Sequence, residues 1–390
     1  MSLLPVAEAQ ARLLALAAPL AVETVPLIDA AGRWAAEDVI ARRTQPAADL
    51  SMMDGYAIRF ADLPGPWAVI GESRAGAGYG GMLHAGDAVR IFTGAPVPEG
   101  ADAILIQEEA TRDGDLLQLS GEGPPNIRSS IRRFGSDFAA GDRLIAQGAR
   151  LTPGRIAAAA VGGHGALAVR RKPRLSLLST GDELVPPGEA AEGVMLPASN
   201  GVMLRAQIGS MAEIRDAGIV PDRLDALVDA FRSAEADIIV TTGGASVGDH
   251  DLVRPALAEV GAQLDFWRIR MRPGKPLLAG RLGDAIVLGL PGNPVSAFVT
   301  AQLFLLPLIA RLGGAGAPIP STEPATLAAP LPQVGNRDDY LRAALSGGRV
   351  TALPNQDSGA LSTLALADAL IVRPAGTPPA AAGDTVEILR

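Results

Sequence analysis

Two adjacent glycines at the end of an apolar run mark the strongest candidate for chemistry in this sequence. Residues 237–242 contain the apolar run 238–240 and predict a buried strand, which Gly243 and Gly244 follow directly. Glycines at a strand end let backbone N–H groups converge on an anion. Ser246 adds a hydroxyl, and the carboxylates of Asp249 and Asp251 are suited to holding Mg²⁺ beside a phosphate. The alternative is a glycine-rich turn with solvated acidic residues.

Two further predicted strand ends carry polar residues of the same kind. Residues 178–184 place a turn glycine and two adjacent carboxylates after an apolar strand. Residues 290–297 begin a helix with Pro291 and Pro294, and the free N–H groups of a helix start attract anions. Each string alone also fits an ordinary turn or a proline-started core helix. In a parallel sheet, however, strand ends open on one crevice, where ligands bind.

A basic segment follows at residues 268–276. Alternation along a strand would place Arg268, Arg270 and Arg272 on one face, with Lys275 nearby. Arginines there would offer charge-assisted hydrogen bonds to a tetrahedral oxyanion. The alternative is a solvated strand edge that is protected by charge.

Three strings upstream are less specific. Residues 51–58, 92–98 and 135–137 combine glycine with acidic or hydroxyl side chains. On the residues alone, each of them favours a structural turn.

The elements that must position these residues suggest several domains. Residues 171–312 alternate apolar strands with helices, which predicts a mostly parallel sheet covered by helices on both faces. Short strands over 46–140 predict a β-rich domain, and 321–390 a small β-barrel or sandwich. Residues 1–45 and 141–170 are expected to form one discontinuous N-terminal domain.

Composition excludes several kinds of site. There is no cysteine, which rules out thiolate nucleophiles and disulfides. There are only three histidines, which disfavours a multi-histidine metal site. A metal would need oxygen ligands, as Mg²⁺ does. A net charge of −8 argues against nucleic-acid binding. The apolar stretch 297–310 is expected to be too short to span a membrane, so a cytoplasmic protein is predicted.

Taken together, the strings resemble one known family. Residues 53–57, 93–98, 179–184, 242–248 and 290–296 are similar, in order and spacing, to motifs of the MoeA-type molybdopterin molybdenumtransferases and of the related E domain of gephyrin. The resemblance runs from the N-terminus to the C-terminal barrel. It implies a multidomain α/β plus β fold and a homodimer, in which the central α/β domain binds molybdopterin. The active cleft would be shared with the partner's N-terminal region.

The implied activity is the insertion of molybdenum from molybdate into adenylated molybdopterin, with release of AMP and with Mg²⁺ as cofactor. The resemblance also allows for contacts with the adenylyltransferase of the same pathway and with apo-molybdoenzymes. Two alternatives stay open. The first is the adenylyltransferase reaction itself, which would need only the α/β domain. The second is a non-catalytic scaffold, which would not need the acidic and basic side chains of the predicted site.

Family positions regarded as functional transfer to this sequence residue by residue. The implied catalytic residues are Asp54, Asp137, Glu183, Asp222 and Asp251. The implied metal ligands are Asp249, Asp251 and Glu183. The implied substrate contacts are Thr93, Thr180, Gly181, Gly243, Gly244, Ser246, Arg268, Arg272, Lys275, Pro291, Gly292, Asn293, Pro294 and Ser296, with Arg337, Arg342 and Ser362 as weaker matches. Arg268 and Arg272 stand where many relatives have lysine, so a planar guanidinium with several N–H donors replaces a compact ammonium group.

Overall fold

The computed structural model describes residues 3–189, 192–244 and 252–390. The N-terminal elements are α1 (Val6–Ala15), β1 (Val22–Pro26), α2 (Leu27–Ala30) and β2 (Val39–Ile40). The next strands are β3 (Leu50–Ser51), β4 (Gly55–Ile58), β5 (Trp67–Ser73), β6 (Asp87–Ile91), β7 (Ala103–Ile106), β8 (Ala110–Asp113), β9 (Leu116–Leu119) and β10 (Ile131–Arg132). They are followed by β11 (Arg143–Ile145), α3 (Pro153–Val161) and β12 (Ala166–Arg170).

The N-terminal segment pairs with residues far along the chain. β1 runs antiparallel to β12, and β2 runs antiparallel to β11. Thr152 caps α3 by accepting the N–H of Arg155, and Pro153 occupies the first turn, as a Thr-Pro pair predicts. Ala35, Leu151 and Val169 are buried together in a small core. The domain boundaries themselves stay a prediction.

Strands β4 to β9 form one sheet in the order β7-β4-β6-β5-β9-β8. β4 pairs antiparallel with both β6 and β7, which places Gly55 opposite Ile91. The residues just outside this pairing, Asp54 and Thr93, are therefore brought together at one end of the sheet. Trp67 is buried within this core.

The central elements surround a six-stranded sheet. They are β13 (Arg174–Thr180), β14 (Leu184–Val185), β15 (Leu196–Pro197), α4 (Ser199–Ile208), β16 (Glu213–Val220), α5 (Leu224–Arg232), β17 (Ile238–Thr242), α6 (Val253–Glu259), β18 (Gln263–Trp267), β19 (Met271–Arg272), β20 (Leu278–Leu282), β21 (Ala285–Leu290), α7 (Pro294–Thr300) and α8 (Leu306–Leu312). The sheet order is β16-β13-β17-β21-β20-β18. The first four strands are parallel, while β20 and β18 add antiparallel pairings at one edge.

Helices cover both faces of this sheet, as continuous apolar strands predict. On β13, Leu175 and Leu177 face α1, α4, α7 and α8, whereas Leu178 faces α5 and α6. The mostly parallel, doubly covered architecture is therefore confirmed.

A single helix extends from Pro294 to Leu312, with a π-helical turn over Ala301–Leu305 between α7 and α8. This helix has 19 residues, more than the apolar stretch 297–310, and it is long and apolar enough by length and composition to cross a membrane. However, 78% of its apolar window is buried inside the protein. It therefore packs as a core helix on the sheet.

The C-terminal elements are β22 (Glu323–Leu327), β23 (Asp338–Ser346), β24 (Arg349–Ala352), α9 (Leu361–Ala365), β25 (Ala369–Arg373) and β26 (Thr385–Leu389). The strands follow the order β23-β24-β22-β26-β25, and β25 pairs back with β23. This closure makes the module a small β-barrel rather than a sandwich.

The predicted alternating strand through the arginines is not present. β18 ends at Trp267, and Arg268 adopts a φ of 105°, outside the range of a strand. β19 then leaves the central sheet and pairs with β23 of the barrel. The three arginines therefore do not share one strand face.

Candidate functional site

A cavity of 730 Å³ opens at the carboxyl edge of the central sheet. Its described lining includes the ends of β13, β17 and β21, as the crevice rule predicts. The site residues predicted from the sequence that line it are Thr180, Gly181, Glu183, Asp222, Gly243, Gly244, Pro291, Gly292, Asn293, Pro294 and Ser296. The structure thus brings together, around one cavity, three strings that are far apart in the sequence.

One side of the cavity carries carboxylates that are held by local hydrogen bonds. The hydroxyl of Thr180 donates to Asp222 Oδ1, and the backbone N–H of Asp222 donates to Asp182 at 3.0 Å. Glu183 folds back so closely that a Cβ at Gly181 would lie 2.6 Å from its Oε2. A side chain at position 181 would have to displace this flexible carboxylate, and the φ of 151° there also favours glycine.

On the opposite side of the cavity, glycine lets two stretches of backbone approach each other closely. Gly243 has a φ of 94°, and a Cβ there would lie 2.4 Å from the carbonyl oxygen of Thr180. Its N–H donates to Leu290 at 3.3 Å, so the turns after β17 and β21 touch. This close approach explains the need for glycine after an apolar strand.

Asn200 is a cavity residue that the sequence reasoning missed. It lies in the first turn of α4 and donates its side-chain amide to the carbonyl of Gly292 at 2.7 Å. The Ser-Asn-Gly string at 199–201 is a helix-start signal that could have identified this position.

The barrel supplies another wall, through Gly359 and Leu361. Asn293 donates to the hydroxyl of Ser358 at 2.9 Å, and the N–H of Val295 donates to the Ser358 carbonyl at 3.0 Å. These bonds tie the barrel loop to the start of α7. The two domains therefore enclose the cavity jointly.

A buried arginine holds this barrel loop. Arg342 is 1% exposed and donates to the carbonyls of Asp357, at 2.7 Å, and Asn355, at 2.9 Å. Burial lowers the pKa of its guanidinium. Both of these bonds go to loop backbone, so Arg342 supports this wall of the cavity. Ser362 is exposed, and Arg337 is half-buried.

The basic segment does not line the described cavity. Arg272 pairs with Asp339 of the barrel at 2.8 Å, and Arg268 stacks on Trp267 with its guanidinium carbon 4.4 Å from the ring centroid. Lys275 is exposed, and its neighbour Pro276 does line the cavity. The segment therefore lies next to the cavity, with its arginines directed elsewhere.

Asp54 and Thr93 meet in the β-rich domain, away from this cavity's lining. Oδ1 of Asp54 accepts both the backbone N–H of Thr93, at 2.7 Å, and its hydroxyl, at 2.8 Å. These two bonds, with the nearby charge of Arg90, lower the pKa of Asp54. The carboxylate is therefore ionised near neutral pH, and its second oxygen has no described partner.

Asp137 lies in a separate open groove between β11 and α3, with Phe138 and Arg143. Within one chain, the implied catalytic residues that the structure describes thus occupy three places: the cavity, the Asp54–Thr93 corner and this groove.

Ser246, Asp249 and Asp251 lie outside the described residues. Among the residues that are described, no group of three or more acids and histidines could hold a metal ion. Mg²⁺ commonly takes one or two carboxylates and completes its shell with water and substrate phosphate. Glu183 and Asp222, both in the cavity lining, are donors of that kind.

Comparisons with known proteins agree with this architecture. Three family profiles match in order: the MoeA N-terminal region (domain I and II) over residues 4–163, a probable molybdopterin binding domain over 176–311 and the MoeA C-terminal region (domain IV) over 324–390.

Curated relatives and a solved structure extend the match. A molybdopterin molybdenumtransferase of Haemophilus influenzae is 40% identical over 302 residues, which cover 76% of this chain and 74% of the relative. One from Bacillus subtilis is 33% identical and covers 94% and 89%. The molybdopterin biosynthesis MoeA protein of Pyrococcus horikoshii OT3 superposes with a TM-score of 0.83 at 27% identity, covering 99% of each chain. The chain therefore belongs to the MoeA family of molybdopterin molybdenumtransferases, which are enzymes of the transferase class.

Proposed function

We propose that this enzyme inserts molybdenum from molybdate into adenylated molybdopterin and releases AMP, as a step of molybdenum cofactor biosynthesis. The observation that carries the proposal is the 730 Å³ cavity, which joins a carboxylate-bearing wall to glycine-rich backbone and to a wall from the barrel. A cavity of this size and chemistry suits a ligand that has both an apolar ring system and phosphate groups. Membership of the molybdenumtransferase family supports the same assignment.

The residues would act mainly by positioning reactants that repel each other. Molybdate and a phosphoanhydride are both anionic, so the site must hold them close and neutralise their charge. Gly244 would offer its backbone N–H to a phosphate oxygen, whereas the N–H of Gly243 already donates to Leu290. Attack by a water oxygen at the adenylate phosphorus forms one P–O bond and breaks the bridging P–O bond, so the molybdopterin phosphate is the leaving group and the attacked phosphorus departs in AMP. The dithiolene sulfurs then bind the metal.

Mg²⁺ is part of the proposal. Glu183, with Asp249 and Asp251 beyond the described residues, would hold it. When bound, the ion supplies positive charge for the phosphate oxygens. Asp222 would contribute a carboxylate to the same wall of the cavity, where the hydroxyl of Thr180 orients it.

We also propose a homodimer with a shared cleft. Asp54 and Thr93 do not line the cavity of their own chain, although the family resemblance implies a role for both. Apolar side chains directly before Asp54 in the chain are exposed: Met52 at 47% and Met53 at 42%. Such a patch is typical of a protein interface. We also propose that the protein is located in the cytoplasm.

AMP release from adenylated molybdopterin, with Mg²⁺ and with or without molybdate, tests the activity. We expect release that requires molybdate, and a pterin product that activates an apo-molybdoenzyme. Glu183→Gln should abolish most of this release, while Glu189→Gln, at an exposed position outside the cavity lining, should not. Substrate binding without molybdate-dependent release would favour the scaffold alternative. ATP consumption without molybdate would favour the adenylyltransferase.

Mixing inactive subunits tests the shared cleft. Asp54→Asn and Glu183→Gln would each inactivate both clefts of a homodimer. A mixed dimer would regain one cleft in which both residues are intact, so exchange of subunits should restore part of the activity. If activity stays absent although the mixed dimer is demonstrated by mass, the cleft is not shared.

A further inference from the structure

Arg90 lies on β6 with its guanidinium against two aromatic rings. The guanidinium carbon is 5.1 Å from the ring centroid of Tyr56 and 4.7 Å from that of Phe92. Tyr56 is directly opposite Arg90 on β4, and Phe92 follows Arg90 by two residues, so the three side chains share one face of the sheet. Contacts with two rings restrict where the guanidinium can lie.

The same guanidinium is hydrogen-bonded to both neighbours of the Asp54 backbone. Nη1 donates to the carbonyl of Gly55 at 3.1 Å, and Nη2 donates to Oε1 of Gln107 at 2.8 Å. Gln107 in turn donates its backbone N–H to the carbonyl of Asp54 at 3.1 Å. Arg90 therefore holds one of these two carbonyls directly and contacts the residue that holds the other.

The turn that carries Asp54 is fixed at three consecutive carbonyls. The hydroxyl of Ser51 donates to the carbonyl of Met53 at 2.6 Å, and the carbonyls of Asp54 and Gly55 accept the bonds just described. Packing adds a further restraint, because a Cβ at Gly55 would lie 2.1 Å from the carbonyl oxygen of Leu105. The direction of the Asp54 side chain thus depends on a backbone segment that Arg90 helps to hold.

Arg90 also brings positive charge to this corner. The two hydrogen bonds from Thr93 contribute most to the lowered pKa of Asp54, and the charge of Arg90 adds to them. Thr93 and Gln107 are uncharged, and on the side of Gln107 the acidic residue Glu108 accepts from the Gln107 amide at 3.3 Å. Arg90 can therefore act on Asp54 in two ways, through position and through charge, and variants can separate them.

We propose that Arg90 is a positioning residue for the reaction, because it fixes the backbone from which Asp54 presents its carboxylate. The inference rests on the proposed function, in which Asp54 takes part in the reaction across the shared cleft. A carboxylate that acts on a reactant bound by another subunit must point in the right direction before the subunits and the substrate meet. Arg90 does not touch the substrate, and its effect reaches the reaction through Asp54.

Molybdate-dependent AMP release by Arg90→Lys and Arg90→Gln tests the proposal. Lysine keeps the charge but lacks the planar guanidinium that reaches Gly55 and Gln107 together, so kcat should fall by about tenfold or more while KM changes little. Arg90→Gln loses the charge as well, which raises the pKa of Asp54 toward its ordinary value. The acid limb of its rate profile should therefore move upward in pH, whereas that of Arg90→Lys should stay in place.

Arg112→Gln is the matched control. Arg112 lies on β8 of the same sheet, where it donates to the carbonyl of Gly114 at 2.7 Å and pairs with Asp115 at 3.4 Å. The substitution removes the same charge from the same domain and should leave kcat and the acid limb unchanged. If folded Arg90→Gln has a lower melting temperature but the kcat of the parent, the role of Arg90 is structural only and the proposal is overturned.

The bond between Thr93 and Asp54 gives a readout that needs no turnover. The Thr93 N–H, which donates to Asp54 at 2.7 Å, should exchange with solvent deuterium faster in Arg90→Lys and Arg90→Gln than in the parent or in Arg112→Gln. NMR of the full-length protein measures this exchange. Unchanged exchange in both Arg90 variants overturns the positioning role, even where the parent releases AMP. Faster exchange in a protein that releases no AMP leaves the role of Arg90 at Asp54 standing while the proposed function fails.

Discussion

Thr93 donates two hydrogen bonds to a single oxygen of Asp54, from its backbone N–H at 2.7 Å and from its hydroxyl at 2.8 Å. The sheet brings them together, because Gly55 pairs with Ile91 and places both residues at the same strand ends. Asp54 consequently keeps one free carboxylate oxygen in a fixed direction. The contact between Asp54 and Thr93 therefore links residues 51–58 with residues 92–98, two segments that the sequence alone predicts to be separate structural turns.

Thr93→Val is expected to shift the pH dependence of activity. The backbone and hydroxyl bonds from Thr93 lower the pKa of Asp54, so removal of the hydroxyl raises that pKa toward its ordinary value. Asp54 would then become protonated at a higher pH as the pH falls, and the acid limb of the rate profile would move upward in pH. Thr111→Val, at an exposed position in the same sheet, is the control. An unmoved acid limb would show that the ionisation of Asp54 does not limit the rate.

Asp222→Asn separates charge from hydrogen bonding in the cavity. An asparagine can still accept the hydroxyl proton of Thr180, but it carries no negative charge. If the carboxylate helps to hold Mg²⁺ or the substrate, AMP release should fall by about tenfold or more while the melting temperature changes little. Asp229→Asn, exposed on α5, should leave both unchanged. Full activity in Asp222→Asn would reduce the role of Asp222 to orienting Thr180.

The central sheet could be predicted because its signals are local. Residues such as Leu175, Leu177 and Leu178 form continuous apolar runs between helices, and buried parallel strands require that pattern. The ends of β13, β17 and β21 then had to open on one edge, so the cavity residues followed from topology.

The contacts between domains could not be predicted in this way. Arg272 follows strand-like spacing in the sequence, yet β19 pairs with the barrel and its charge meets Asp339. Nothing near Arg272 in the sequence signals a partner 67 residues away. Likewise, Arg268 has a positive φ and exchanges backbone hydrogen bonds with Leu277 and with Leu4, which is far away in the sequence, so tertiary contacts override the strand pattern.

Asp339→Asn should loosen the contact between the central domain and the barrel. It removes the carboxylate that pairs with Arg272, whose side chain is 55% exposed, so the loss of stability should be at most about 1 kcal/mol. Chemical denaturation at low and high salt measures it, and the difference from the parent should shrink at high salt. The double variant Arg272→Gln/Asp339→Asn should cost less than the sum of the two single variants. Strict additivity would mean that the pair contributes no coupling.

Asp237 should make the stability of the central domain depend on pH. Burial alone would raise its pKa, but two 2.7 Å bonds from Arg171 and the backbone N–H of Arg174 at 2.8 Å outweigh it, so the pKa in the folded state is lowered. The unfolded chain protonates this carboxyl near pH 4. The stabilisation is therefore fully present above that value and is lost as the pH falls through the lower, folded pKa.

Asp237→Asn tests this by urea denaturation at pH 7 and near pH 3. At pH 7 the variant should lose about 1.5–3 kcal/mol, the usual contribution of hydrogen bonds to a charged group. Near pH 3 the gap between variant and parent should narrow, because the parent then loses its own carboxylate interactions. Asp284→Asn, at an exposed turn, should match the parent at both pH values. Since Asp237 precedes β17 at the edge opposite the cavity, a variant with reduced stability and normal kcat is the expected combination. A gap that stays constant with pH would assign the loss to packing instead of charge.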